Sequence, residues 1–223
     1  MKLNVIRKRI LLTGVSLTLF SAYKFLRRDD IGLNASFLSG IKIPSGVRRD
    51  KDRQGFIFEA DDQPSTGSWD PLVGLAVTKK LGVFALHSNG LYRFSTRGTQ
   101  NTVVGDVATF NLAVSHRVYK NKFLSSIFLQ KLFNKDLNWD LILETNGQWS
   151  EKPKTRASVG SRHIDFTQEN HGGLLVYLTP GLRLIVDKKW VTNIGVGFPI
   201  IEALNGRERA PSARLVFGLY RVF

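Results

Sequence analysis

The feature that most constrains this chain is a two-residue alternation of apolar and polar side chains, sustained over a dozen residues at a time. Between Leu137 and Trp149, the residues Trp139, Leu141, Leu143 and Trp149 fall on one side. Asn138, Asp140, Glu144, Asn146 and Gln148 fall on the other, where Ile142 is the one apolar interruption. Successive side chains of a β-strand point to opposite faces, so the segment reads as a strand with one greasy and one wet face. Trp139 and Trp149 stand at the two ends of the greasy row. Ten residues along a tilted strand match the ~25 Å apolar band of a membrane barrel. Aromatic rings belong at both edges of such a band.

The pattern recurs. Val176, Leu178, Pro180, Leu182, Leu184 and Val186 oppose Tyr177, Thr179, Gly181 and Arg183. Trp190, Ile194, Val196, Phe198 and Ile200 oppose Asn193, Gly195 and Gly197. Leu33, Ala35, Phe37, Ile41 and Ile43 oppose Gly32, Asn34, Ser36, Gly40 and Lys42. The alternation predicts strands over 14–26, 31–43, 69–80, 82–95, 105–119, 137–149, 172–186, 189–202 and 212–223. Several exceed the ~5–6 residues usual in a soluble sheet. Asn89-Gly90 is a hairpin dipeptide and leaves open a split of 82–95 into two short strands.

The connections sort into two kinds. Those over 44–68, 96–104, 150–171 and 203–211 are long and polar; those at 27–30, 80–82 and 186–189 are tight. Long and short alternate, as they do when loops lie outside and turns face the periplasm. The segment 120–136 departs from this. It carries Phe123, Leu124, Ile127, Phe128, Leu129, Leu132 and Phe133 at helical spacing, which predicts a short amphipathic helix near 121–134, packed at the periplasmic rim. The fold class expected is thus all-β: an antiparallel up-and-down transmembrane β-barrel in one domain over 1–223, with an irregular segment at 1–13 and barrel strands over 14–223.

Composition narrows the alternatives. The chain has 223 residues, 43% of them hydrophobic, and no Cys. No run of eighteen apolar residues occurs, which excludes an ordinary transmembrane helix. Absence of Cys excludes disulfides and thiolate metal sites. The net charge of +14 suits a nucleic-acid binder, or a protein facing anionic lipid, or a basic pore. A nucleic-acid binder needs aromatics on a polar sheet face or a basic helix. Here the aromatics share the apolar face, so no nucleic-acid partner is expected.

The N-terminus permits two readings. Lys2, Arg7, Lys8 and Arg9 before an apolar run from Ile10 to Phe20 look like a signal peptide. Alternatively Val15, Leu17, Leu19, Tyr23 and Phe25 alternate with Ser16, Thr18 and Lys24 as a strand. The cleavage site is poor, because bulky Phe20 precedes Ala22 by two positions, and the strand is preferred. Nine strands is an odd number, whereas bacterial single-chain barrels use even ones. A barrel incomplete at its N-terminus, with its export signal absent or upstream, accounts for both facts. Removal of 1–22 instead leaves eight strands, enough for a narrow barrel.

No catalytic constellation is visible: neither a Gly-x-Ser-x-Gly elbow nor a phosphate-cradling Gly-rich loop occurs. No catalytic residue, cofactor or metal is expected. His163, Asp165 and His171 lie close in sequence, but a solvated loop explains them better than a metal site. The polar faces are more informative. Asn34, Lys42, His87, Arg93, Arg117, Asp140, Glu144 and Arg183 are expected to line the lumen, with Asn89, Asn111, Asn146, Gln148 and Asn193. Salt bridges that fill the interior are the plain explanation; a polar path that selects solutes is the functional one. Trp139, Trp149, Trp190 and Phe223 are expected at the membrane interface.

Several motifs fall in a recognisable order. Gly40-Ile41-Lys42-Ile43-Pro44-Ser45-Gly46 and Gly67-Ser68-Trp69-Asp70-Pro71 are followed by Leu91-Tyr92-Arg93, Gly105-Asp106, Gly172-Gly173, Pro180-Gly181, Leu204-Asn205-Gly206 and the closing Arg214 to Phe223. Over roughly 14–223 the chain resembles the outer-membrane β-barrel transporter family known as "MetA-pathway of phenol degradation". That resemblance implies a channel or transporter-like barrel for small, hydrophobic or aromatic solutes in the outer membrane of a Gram-negative bacterium. Its implied partners are outer-membrane lipid and lipopolysaccharide. The terminal Phe with alternating apolar residues also resembles the signal read by the barrel-assembly machinery; Gly218 fits it and Arg221 departs from it. Two alternatives stay open on sequence grounds: a soluble lipocalin-like barrel binding an apolar ligand, with the faces reversed, and a purely structural membrane barrel.

Overall fold

The computed structural model describes residues 17–58, 60, 63–118, 137–159, 162–187, 189–206 and 210–221. The segment 1–13, the helix expected near 121–134 and Phe223 lie outside the described residues.

The described chain forms twelve strands: β1 (Leu17–Arg28), β2 (Leu33–Ile43), β3 (Asp70–Leu81), β4 (Phe84–Arg93), β5 (Thr102–Val103), β6 (Val107–Val118), β7 (Leu137–Ser150), β8 (Lys154–Val159), β9 (Arg162–Thr167), β10 (Gly173–Val186), β11 (Trp190–Leu204) and β12 (Arg214–Arg221). Nine make one antiparallel sheet in the order β1-β2-β3-β4-β6-β7-β10-β11-β12. Each is paired with its neighbours in the chain, apart from the short strands of the loops, so the sheet is up-and-down. Because the nine strands alternate in direction, β1 and β12 run the same way at the two edges.

Residues 17–28 are a strand, as the alternation of Leu17, Leu19, Tyr23 and Phe25 predicts; Leu17 pairs with Ile43 and Arg28 with Leu33. β4 runs unbroken through Asn89-Gly90, and the hairpin turn falls at Gly82-Val83 instead. Gly82 has φ +63°, and a glycine at the first central position of a two-residue turn matches the right-handed twist of its strands. Asn89 is held in mid-strand by Ala76 on one side and Asn111 on the other.

Two of the long loops are more structured than their polar composition suggests. The loop read over 150–171 is largely a hairpin, β8 paired with β9 from Lys154↔Thr167 to Val159↔Arg162. β5, from the loop read over 96–104, adds to β8 and completes a second, three-stranded sheet. Further bonds tie the loop 44–69 to the same rim. Thr99 N–H donates to Thr66 O at 2.8 Å, and the Gln100 side-chain amide donates to Phe58 O at 2.7 Å. Three loops from one end of the main sheet are therefore joined, while the turns β1–β2, β3–β4 and β10–β11 at the other end are short.

The two faces of the sheet differ sharply. Leu75, Phe110, Leu112, Leu141, Leu143, Ile194, Phe198, Leu215 and Phe217 are exposed. The opposite face carries the buried Lys42, Asp70, Ser115, Asp140 and Thr179. Buried hydrophobic residues are few: Ala35, Ala60, Leu72, Val176 and Tyr177 among the described residues. The apolar rows thus point outward on the convex side, and the polar rows line a concave side.

Candidate functional site

The eight residues expected to line the lumen occupy that one concave face, and most are bound into ladders that run from strand to strand. Antiparallel register places residues of equal face directly opposite one another. Asn89, Asn111 and Asn146 are opposite one another on β4, β6 and β7. Asn111 Nδ2 donates to Asn89 Oδ1 and Asn146 Nδ2 to Asn111 Oδ1, each at 2.8 Å. Thr179 on β10 extends the ladder, its hydroxyl donating to Asn146 Oδ1 at 2.8 Å.

A second ladder lies toward the short turns. Arg117 and Arg183 flank Asp140 in register. Arg117 Nε donates to Asp140 Oδ1 at 2.9 Å, and Arg183 Nη1 lies 3.8 Å from Oδ2. Arg183 Nε also donates to Asn193 Oδ1 at 3.1 Å. Arg117 satisfies this buried carboxylate with charge-assisted hydrogen bonds, and Arg183 adds an ion pair, the condition under which a buried charge is tolerated. His87 bridges neighbouring strands, with Nδ1 3.1 Å from Thr78 Oγ1 and Nε2 3.2 Å from Ser115 Oγ.

Lys42 has a different role from an open lumen lining. Its ammonium donates to Asp70 Oδ2 at 3.0 Å and to Thr66 Oγ1 at 2.6 Å. Thr66 is in turn bonded to Ser68 at 2.7 Å, and Asp70 Oδ1 accepts from Thr96 N–H at 3.0 Å. The side chains of Lys42 and Asp70 are 8% and 0% exposed, because the rim loops close over them. This pair locks the long-loop end. Arg93 lies at the same end, half-buried, with Nε lacking a hydrogen-bond partner. Asn34 is half-buried on the same face, opposite Thr78.

Between the two ladders lies the most distinctive part of the face. Pro180 cannot donate to a neighbour, and the β10–β11 pairing skips Thr179 and Pro180, with a register shift earlier on the strand between Val176 and Tyr177. Small residues Gly181, Gly195 and Gly197 surround this break. They leave a cleft of about 420 Å³ lined by Ile142, Glu144, Arg183, Arg214, Val216 and Tyr220 among others. Arg214 reaches over it from β12. Its guanidinium stacks 4.0 Å from the centre of the Tyr177 ring, and Nη2 donates to Asn146 Oδ1 at 2.7 Å. Its Nε is buried without a hydrogen-bond partner. Glu144, in the same cleft, makes no hydrogen bond or ion pair among the described residues.

Arg214, Thr78, Ser115 and Thr179 were not among the residues expected to line the lumen. Arg214 shares the parity of Val216, Gly218 and Tyr220, which gives its face, but its bond to Asn146 depends on sheet curvature that alternation does not carry. On the convex face Trp139 and Trp190 stand toward the short turns and Trp149 toward the long loops. Arg221 lies 5.4 Å from the Trp190 ring centre, so this outward cation rests on an aromatic face. In the loop hairpin, Asp165 accepts from Arg156 Nε and Nη2 at 2.7 and 2.9 Å, and His163 Nδ1 lies 3.0 Å from Ser158 Oγ. These contacts make hairpin pairings of two residues considered as metal ligands. No protein-family model and no curated protein matches the chain.

Proposed function

We propose that the chain is an outer-membrane β-barrel of a Gram-negative bacterium that acts, without catalysis, as a channel or transporter-like barrel for small solutes. The observation that carries this reading is the assignment of faces. Leu215, Phe217 and Leu219 are 73%, 66% and 57% exposed, and comparable rows cover the strands across the sheet. A soluble protein rarely exposes a contiguous apolar patch beyond a few hundred Å², whereas a bilayer requires one. The soluble lipocalin-like alternative would need the opposite assignment, with these rows inside.

Other features fit the same reading. Strands of 12 to 15 residues, such as β3, β6, β7, β10 and β11, are long enough to cross a bilayer when tilted. A closed barrel would bring the edges β1 and β12, which run the same way, together as a parallel pair or through a further strand. The exposed Arg48, Arg49, Lys51 and Arg53 of the loop 44–69 suit lipopolysaccharide phosphates, and β12 suits recognition by the barrel-assembly machinery. The resemblance to the phenol-degradation transporter family points to small hydrophobic or aromatic solutes.

The test is membrane fractionation of the natively expressed protein, with heat-modifiable gel mobility on the same sample. Recovery in the outer membrane with a heat-dependent shift is the expected result. A folded protein in the soluble fraction would overturn the membrane reading. Single-channel conductance then separates a channel from a purely structural barrel.

A further inference from the structure

We infer that the cleft between β7, β10, β11 and β12 binds a small zwitterion, an amino acid with a compact apolar side chain, holding its carboxylate on Arg214 and its ammonium on Glu144. The inference rests on the proposed function only in taking the concave face as open to solute.

Two groups of opposite charge line one cleft. Arg214 Nε is buried and has no hydrogen-bond partner, although the rest of the guanidinium is fixed by Tyr177 and Asn146. A guanidinium held in place in this way is a pre-organised partner for a carboxylate. Glu144 supplies the matching anion. It lies two positions from Asn146 on the same face of β7, a spacing of about 7 Å, and Asn146 is the residue that Arg214 touches. The two charges are therefore separated by the span of one small molecule that carries both. They are kept apart by Thr179, which sits opposite Glu144 and donates to Asn146.

The neighbouring charges are already committed. Asp140 is bonded to Arg117 and close to Arg183, and Arg183 also donates to Asn193. A ligand with a single negative charge would satisfy Arg214 but meet Glu144 as a like charge. One with a single positive charge would meet Arg214 in the same way. A zwitterion satisfies both, and uniform binding of either singly charged analogue is disfavoured by repulsion. Part of the remaining wall, Ile142, Val216 and the Tyr220 ring, is apolar and takes a short aliphatic side chain. The cleft volume of about 420 Å³ lies within the range of small-molecule sites.

Isothermal titration of the full chain, folded in detergent micelles, with L-leucine, N-acetyl-L-leucine and L-leucinamide tests this directly. Leucine is expected to bind at least about tenfold more tightly than either analogue, the scale of one charge-assisted hydrogen bond. Glu144→Gln is expected to remove the preference over N-acetyl-leucine and keep the preference over leucinamide; Arg214→Gln is expected to do the reverse. Equal binding of leucine and N-acetyl-leucine to the unmutated protein would overturn the inference in favour of a simple anion site. Absence of leucine binding at millimolar concentration would overturn it outright. The ligand series on the unmutated chain keeps the test intact if a variant fails to fold. Vesicle insertion, measured in parallel, separates the two readings. A protein that inserts but does not discriminate sinks only the zwitterion site. One that discriminates in micelles but does not insert sinks only the membrane reading.

Discussion

Arg214 and Asn146 stand three strands apart in the sheet, yet the Arg214 guanidinium donates to the Asn146 amide oxygen at 2.7 Å. In a flat sheet with ~4.8 Å between strands their backbones would be roughly 14 Å apart with parallel side chains. The contact requires the sheet to curl around its polar face between β7 and β12. The sequence elements that allow this are local: Pro180 interrupts the ladder, and glycines at 181, 195 and 197 remove the side chains that would fill the inside of the bend. Curvature, cleft and the aim of Arg214 therefore have one cause.

Gly197→Ala is predicted to disturb that arrangement. A Cβ at this position meets Arg214 Cγ and Nε and Thr179 Oγ1, each at 2.9 Å. The arginine must leave Tyr177 or the strands must part. Overpacking of this kind costs about 1–3 kcal/mol. Urea unfolding in micelles is expected to show a lowered midpoint, and near-ultraviolet circular dichroism a changed tyrosine signal. An unchanged spectrum would mean that Arg214 is not held where the contact places it.

Asp70→Asn is predicted to be far more damaging. It leaves the Lys42 ammonium, 8% exposed, without its counter-charge beneath the rim loops. Breaking a buried pair from one side costs about 3–5 kcal/mol, whereas replacing both partners by apolar residues is often neutral. The double variant Lys42→Met with Asp70→Leu should therefore be more stable than either Lys42→Met or Asp70→Leu alone, as read from the unfolding midpoints of the four-protein cycle they form with the unmutated chain. A double variant as unstable as the single ones would show that Thr66 and Thr96, which also bond this pair, matter more than the charge.

The strands and their faces were legible because alternation reports them directly: Trp139, Leu141 and Leu143 against Asp140, Glu144 and Asn146 give both β7 and its orientation. Alternation alone does not say which rows are exposed, since reversing a barrel leaves the period unchanged; the exposure of Phe217 and the burial of Asp140 show that the apolar rows are the exposed ones. The β8–β9 hairpin escaped because its residues are polar on both faces at many positions. Its signals were the alternation of Ile164 and Phe166 with His163 and Asp165. Lys42 was placed on the correct face, but its enclosure depends on Thr66 and Ser68, brought over it by a loop whose path no local pattern specifies.

The loop hairpin should loosen in acid. Arg156 donates to both oxygens of Asp165, and this hydrogen bonding holds the carboxyl below its ordinary range near 3.8; partial burial opposes the shift, and the positive charges of Arg156, Arg97 and His163 add to it. The folded pKa is thus lower than the unfolded one. The stabilisation is present above the unfolded value and is lost as pH falls through the folded one. Amide hydrogen exchange across 154–167 is expected to accelerate below about pH 4 relative to the main strands. Arg156→Ala should abolish that acid dependence while leaving the main sheet protected.

Leu143→Arg separates a bilayer from water by the size of its effect. Leu143 sits near the middle of β7 on the convex face, 51% exposed, and touches neither polar ladder. In a water-facing position such a substitution changes stability by no more than about 0.5 kcal/mol. At the midplane of a bilayer an outward Arg costs about 2–4 kcal/mol, falling to ~0–1 near the interfaces. Arg221, at the turn end of the sheet, lies against the Trp190 ring, an arrangement that would suit an interfacial cation. The expected outcome in vesicles is a large loss of folding stability for Leu143→Arg and a small one for Trp149→Arg at the rim of the same strand. Near-neutral behaviour of Leu143→Arg in vesicles would place the convex face in water and withdraw the main support for a membrane-spanning barrel.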